Sequence, residues 1–591
     1  MRKILKFLKK YWYFAILAPL FMIGEVMMDM VITNVMGLMI DVVKDFVPAT
    51  DSAIFLHTIL KYGLIMLGFC LVGITCGIFG TVFANLASHN MGNDLRKATF
   101  AKIMNLSFNQ VDNFQTGSLV TRVTNDITTV QNTVRMTLRM FIRAFCMFIF
   151  GIVFTIKISP KFAWVIAFAL PLETIGIIFF MKKAFPMFTI VQKKLDKVNN
   201  VMHENLSGAR VVKAFCKEEH EEKRFKEAND NLTSINLKVN KMLSFAMPIF
   251  MLIIYMCQLS IFYIGGKEQF NAFVGGIAPG ITLGDTQTAI MYLMMIMMGF
   301  MALGMTIVNM SRAVASVKRI NEVLDAPEEL PDGDLDVSTL KEQGTLAFNN
   351  VDFSYFRTGQ CILNNVNFKI NKGETIAIVG STGSGKSTIV NLIDRFYDVT
   401  DGEILVDGVD VRKYKKTDLR KKVSLVLQKA ELFAGTIFEN ITWGKPDATI
   451  DEVMEACDIA QANEFILSKP NQYNEYIEEK GTSLSGGQKQ RLSIARAIIS
   501  KPEFLIFDDS TSALDLVTEA KLQQALREKL SDTTKIIVAQ RVATVKNCDK
   551  IIVLDGGTVV AFDTHDNLLK TCDVYKDIYD SQLKKEVAVD E

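Results

Sequence analysis

Residues 376–388 read Ile-Ala-Ile-Val-Gly-Ser-Thr-Gly-Ser-Gly-Lys-Ser-Thr, and they decide the fold of the C-terminal half. The apolar start predicts a buried strand, the glycine-rich middle a loop, and the residues from Lys386 a helix. Gly380 to Ser387 fits G-x-x-x-x-G-K-[ST]. In such a loop the main chain of Gly380, Ser381, Thr382, Gly383, Ser384 and Gly385 wraps phosphates at a helix N-terminus. Lys386 is expected on the β- and γ-phosphates, Ser387 on a Mg²⁺ ion, and Thr388 in the first helical turn behind them. A second apolar strand, Phe504–Phe507, ends in Asp508, the further Mg²⁺ anchor that phosphoryl chemistry requires. Leu484-Ser485-Gly486-Gly487-Gln488 precedes a helical run and forms another anion cradle.

Upstream the composition changes. Ala-Pro-Glu-Glu-Leu-Pro-Asp-Gly-Asp from Ala326 is polar and rich in turn formers. We therefore expect a linker over 326–343 between a membrane part, 1–325, and an α/β domain, 344–591. Six apolar stretches, near Trp12–Ile40, Ile54–Leu86, Met140–Ile156, Phe162–Met181, Leu243–Ile264 and Ala289–Val308, are long enough as helices for a hydrocarbon core of ~30 Å. The segments 87–139 and 182–241 are long and basic, so the positive-inside rule puts them and both termini in the cytoplasm of a cell-membrane protein. The basic, amphipathic start Met-Arg-Lys-Ile-Leu-Lys-Phe-Leu-Lys-Lys has no small-residue cleavage site and reads as a helix along the inner leaflet.

The formal net charge of +1 gives no reason to expect a nucleic-acid partner. Nine cysteines without a C-x-x-C pair argue against a zinc site or a disulfide framework. Acids inside a span default to a functional reading; here they are Glu25, Asp29 and Glu173. Glu25 and Asp29 stand i, i+4 on one helix face. They either draw a cationic substrate or serve hydrogen bonds between helices. The sixth span is methionine-rich, which suits promiscuous apolar binding as well as lipid contact.

With these motifs together, the chain resembles an ATP-binding cassette (ABC) half-transporter of the exporter type along nearly its whole length. The resemblance implies a six-helix membrane domain of the type I exporter (type IV ABC) fold fused to an α/β nucleotide-binding domain. It implies ATP and Mg²⁺ as cofactors and a dimer in which each loop of 380–387 faces the other chain's Leu484–Gln488. Tyr355 resembles the aromatic that stacks on adenine. Gln428 resembles the residue that touches Mg²⁺ and senses the membrane domain, and Asp515 an aspartate acting across the dimer. Glu479 resembles a coupling contact. Asn113–Asp126 and Glu204–Phe215 resemble two intracellular loops, each carrying a short helix that docks on a cassette.

Two positions depart from the family pattern. Asp509 stands where a catalytic glutamate is expected, and Gln540 where a histidine is expected. The shorter carboxylate is drawn back by ~1.5 Å, and a misplacement of ~1 Å costs about 10²-fold in rate. Glutamine cannot titrate near neutral pH. Since Ser485–Gln488 is intact and serves the other chain's ATP, the expectation is a heterodimer in the bilayer. In it this chain's site holds ATP and the partner's site hydrolyses it to export small amphipathic compounds. The alternatives are a homodimeric lipid or drug flippase with slow hydrolysis, and a nucleotide-gated channel or regulator.

Overall fold

The computed structural model describes residues 2–44, 52–276, 279–335, 337, 343–355, 359, 361–539 and 541–587. It divides into two units, one of residues 1–104 and 117–325, the other of residues 105–116 and 326–591.

The first unit is helical: α1 (Arg2–Lys9), α2 (Trp12–Lys44) and α3 (Ser52–Met104), then, after α4 (Phe108–Phe114) of the other unit, α5 (Thr116–Thr121), α6 (Ile127–Met136), α7 (Ile142–Ile158), α8 (Pro160–Ser207), α9 (Ala209–Ala214), α10 (Glu218–Gly275) and α11 (Leu283–Leu324). Helices α5–α7 form one continuous rod, with π-helical turns at Arg122–Asp126 and Thr137–Phe141. Among the described residues, six helices are long and apolar enough to cross a membrane. The 53 residues of α3 span about 80 Å at ~1.5 Å per residue, far more than a bilayer core.

Small residues let these helices close on one another, as expected where hydrophobicity alone does not drive association. Gly37 on α2 lies so near α11 that a Cβ would stand 2.1 Å from the Thr288 hydroxyl. Asp41 of α2 also caps the start of α11, accepting from the Gly284 N–H at 2.7 Å and from the Thr282 hydroxyl at 2.7 Å. Further along, Asp126 accepts from Ser316 and Arg319 of α11, and Arg122 pairs with Glu322 at 3.0 Å. The apolar face of α1 meets protein: Ile4 is buried, and Phe7 and Leu8 pack with it on Met91, Leu95, Ile127 and Ile320. The amphipathicity read as membrane-seeking is thus satisfied by the first unit's own core.

The second unit contains β1 (Leu346–Phe353), β2 (Leu363–Ile370), β3 (Thr375–Gly380), β4 (Asp401–Val406), β5 (Val409–Asp410), β6 (Val423–Val426), β7 (Gly435–Thr436), β8 (Tyr476–Ile477), β9 (Phe504–Asp508), β10 (Thr534–Val538), β11 (Lys550–Asp555) and β12 (Thr558–Asp563). The central sheet runs β12-β11-β3-β10-β9-β6. It is parallel except for the β11–β12 hairpin. Parallel strands covered on both faces need apolar residues throughout. Ile376, Ala377, Ile378, Phe504, Leu505, Ile506 and Ile536 are accordingly fully buried. An antiparallel sheet, β2-β1-β4-β5, packs beside it. Helix α12 (Lys386–Ile393) follows β3 through the glycine-rich loop.

One buried acid makes the stability of this unit depend on pH. Burial pushes the Asp394 carboxyl up to about 7, against the opposing pull of the Arg420 guanidinium, and its Oδ1 has no hydrogen-bond partner. The folded value lies above the unfolded one of ~3.9. The folded chain therefore holds this proton more tightly, an advantage complete below about pH 4 and lost as the pH rises through 7. We expect Asp394→Asn, neutral at every pH, to melt higher than the native chain at pH 8, with a gap that narrows by pH 5. Thermal unfolding in detergent checks this, and an equal gap at both pH values would overturn it.

Candidate functional site

The glycine-rich loop between β3 and α12 is built by backbone geometry. Gly383 and Gly385 take φ of +84° and +97°, a left-handed region open to glycine at little cost. At Gly385 a Cβ would also stand 2.6 Å from the Leu363 side chain. The loop turns the chain from β3 directly into α12, so the first N–H groups of that helix face the loop. The Lys386 ammonium curls over the loop and donates to the carbonyls of Gly380 and Ser381 at 2.9 and 2.7 Å. Desolvation lowers its pKa, while Asp509 and Asp508 act to raise it.

The Ser387 hydroxyl donates to Asp508 Oδ1 at 3.0 Å. Burial raises the pKa of Asp508, partly offset by that bond. Two oxygen donors from separate elements thus converge at the C-terminal ends of β3 and β9, where ligands of open α/β sheets bind. Oxygen donors of this kind fit Mg²⁺, which takes carboxylate and hydroxyl oxygens alongside substrate phosphates.

Asp509 follows with φ +48°, a region that aspartate tolerates better than most residues. Its N–H donates to the Val538 carbonyl at 2.9 Å. The Gln428 amide donates to Asp509 Oδ2 at 3.0 Å. Gln428 and Asp509, predicted separately from sequence, are therefore direct partners. Tyr355 lies just past β1, its hydroxyl 3.2 Å from that of Thr388 and its ring edge-on to Tyr397 at 5.1 Å. Gln540 falls outside the described residues.

Ser485 is the N-cap of the helix Gly486–Ile498. Its hydroxyl accepts from the Gln488 N–H at 3.3 Å, and its own N–H donates to Gln488 Oε1 at 3.1 Å. This capping box leaves Gly486 and Gly487 in the first helical turn. Buried Gln490, which the sequence reading missed, donates to the Leu427 carbonyl at 3.0 Å and so ties this helix to the residue before Gln428. Asp515 caps the helix Leu516–Lys529, accepting from the Thr518 N–H at 2.9 Å, and that bond holds its carboxyl below the usual range. Glu479 is exposed in a short 3₁₀ turn, Glu479–Gly481.

Helix α4 overlaps the first two residues of Asn113–Asp126, the segment read as the first intracellular loop. Phe108 packs on Phe396 with centroids 4.6 Å apart, and the Tyr397 hydroxyl donates to Asp112 at 3.3 Å. The Ser107 hydroxyl donates to Glu329 at 2.5 Å. The second short helix, α9, buries none of its residues, and Val211 and the following Phe215 are 60% and 72% exposed.

In the first unit, Glu25 and Asp29 do share a helix face, and both lie 3.4 Å from one nitrogen of Arg143. Sequence reasoning missed this arginine, although it falls inside the third predicted span, which was the available signal. Glu173 is buried among apolar side chains, with neither carboxyl oxygen hydrogen-bonded.

A family model described as the ABC transporter transmembrane region matches residues 15–301, and one described as ABC transporter matches residues 363–512. The uncharacterized ABC transporter ATP-binding protein YfiB of Bacillus subtilis is 36% identical over 588 residues, 99% of each chain. YgaD of the same organism, named provisionally as a multidrug export ATP-binding/permease protein, is 32% identical over 92% of each chain. An ATP-dependent lipid A-core flippase of Desulfotalea psychrophila is 34% identical over 83% of this chain and 84% of its own length.

Proposed function

The chain belongs to the ABC transporter family as an exporter half-transporter, and from that premise we propose that it is the ATP-holding subunit of a heterodimeric exporter of small amphipathic compounds in the cell membrane, both termini cytoplasmic. One observation carries this reading. Asp509 stands at the end of β9 with a carboxylate one methylene short and engaged by Gln428, while Ser485 and Gln488 keep an intact capped helix start.

The roles follow from the chemistry of each group. Tyr355 offers a face to adenine. The N–H groups of Gly380–Thr388 and the Lys386 ammonium take the phosphates. Ser387 and Asp508, with Gln428 beside them, would hold Mg²⁺, which supplies charge neutralisation between the phosphates. Asp509 is a weak base because of its reach. Ser485, Gly486, Gly487 and Gln488, together with Asp515 at the start of the helix Leu516–Lys529, face the partner's ATP across the dimer. Coupling to the membrane starts at Gln428, through the neighbouring Leu427–Gln490 bond, and at α4. The exposed apolar residues of α9 support docking on the partner's cassette.

The test compares ATPase activity of the purified chain alone and with its partner. The lone chain is expected to be about 10²-fold slower; brisk, cooperative hydrolysis by it would sink the heterodimer reading. A second reading, a homodimeric flippase with slow hydrolysis, is favoured by the similarity to the lipid A-core flippase and predicts slow ATP-dependent transport by the chain with no partner added.

A further inference from the structure

A cleft of about 450 Å³ in the first unit is lined by α2, α3 and the π-helical turn ahead of α7. It carries both signs of charge. Glu25 and Asp29 lie on one wall and Arg139 on another, and Arg143 shares one nitrogen between the two carboxylates at 3.4 Å each. Arg139 sits within the π-helical turn Thr137–Phe141, a local irregularity frequent at functional sites. On α3, a Cβ at Gly77 would stand 3.2 Å from Glu25 Cδ, so glycine there lets the carboxylate lie against the helix. The rest of the wall includes Ile32, Ile74, Ile78 and Val82.

We propose that this cleft binds the headgroup of a zwitterionic amphiphile: an ammonium and a phosphate or carboxylate on one molecule, with a hydrocarbon tail. The inference rests on the exporter reading and names its substrate class. Two carboxylates and two guanidiniums sum to zero charge. A zwitterion keeps that sum, whereas a monocation or monoanion leaves an uncompensated charge in a low-dielectric wall. The 3.4 Å contacts are long for charge-assisted bonds, ~2.7–2.9 Å at their best, so Arg143 is loosely held. An ammonium replaces it at Glu25 and Asp29. The freed guanidinium and Arg139 then take the anionic group, for which their planar forks are suited, and the tail lies along Ile74, Ile78 and Val82. This refines the sequence expectation of a cationic cargo.

The headgroup can belong to a membrane phospholipid or to a soluble amphiphile, and matched probes separate the two. Cys70 is exposed and lines the cleft, while Cys216 and Cys361 are exposed elsewhere. The full chain in non-ionic detergent is treated with a maleimide, without nucleotide, in the presence of lauroyl-lysophosphatidylethanolamine, lauroyl-lysine, dodecylamine or dodecyl phosphate. Zwitterions are expected to slow modification of Cys70 by about tenfold while sparing Cys216 and Cys361, and the single-charge probes to need at least about tenfold higher concentrations. Protection by lysophospholipid alone identifies a bilayer lipid, by lauroyl-lysine alone a soluble cargo, and by both a site that reads the headgroup only. Glu25→Gln with Asp29→Asn, and separately Gly77→Ala, should each weaken protection. Equal protection by dodecylamine, a Cys70 that never reacts, or undiminished protection in these variants overturns the site. Because no ATP is present, these outcomes are independent of the ATPase comparison that tests the exporter reading.

Discussion

With its partner present, the chain carrying Ser485→Ala is expected to lose about 10²–10³-fold of the complex's ATPase activity, the range for removing one preorganised donor from a developing charge. Asp509→Asn in the same complex should change it by less than about threefold, since in the proposed assignment the site it belongs to already lacks a correctly placed base. The asymmetry follows from the proposed head-to-tail dimer, in which Ser485 serves the partner's ATP and Asp509 this chain's own. In the chain by itself the Ser485 hydroxyl caps its helix by accepting from the Gln488 N–H, and losing that cap costs about 1 kcal/mol. Thermal unfolding of the variant separates this modest cost from the catalytic loss. A large drop from Asp509→Asn and a small one from Ser485→Ala would reverse the assignment of the two sites.

Asp509→Glu combined with Gln540→His should revive the chain's own site. In a complex with both sites otherwise native, the gain is at most about twofold, because one fast site joins another. The informative background has the partner's catalytic carboxylate replaced by its amide. There the double change should raise turnover by about 10²-fold, the size of the penalty assigned to a carboxylate misplaced by ~1 Å. The added methylene carries the carboxylate outward from a backbone held at φ +48° and tied to Val538. It must also leave the bond from Gln428. Glutamate is less at ease than aspartate in a left-handed conformation, so a stability loss of up to about 1 kcal/mol is expected with it. Unchanged turnover in that background would show that groups on the partner, not Asp509 and Gln540, disable the site.

Much of the nucleotide site is legible in sequence because its parts are local. Gly380–Ser387 encodes a loop conformation within eight positions, and Ser485 with Gln488 encodes a helix start within four. Asp508 is legible because an apolar run must end where the strand leaves the core. Each of these structures follows from backbone requirements of neighbouring residues. The six spans are legible for a similar reason: hydrocarbon demands a continuous apolar helix whatever surrounds it.

The partners of those groups are not local. Gln428 meets Asp509 across 81 residues, Phe108 meets Phe396 within the second unit, and Arg143 reaches Glu25 and Asp29 from another helix. Glu25 and Asp29 read as a bare acidic pair until Arg143 is placed between them, which changes the charge of the site and with it the cargo proposed. By itself the sequence determined the two architectures, the loop of 380–387 and the capped start at Ser485, because backbone conformation and burial are set by the residues at hand. Only the tertiary structure decided which carboxylate is paired and by what. Electrostatic pairing depends on separations of a few ångströms, and distances between residues far apart in the chain are fixed only when the helices and strands pack.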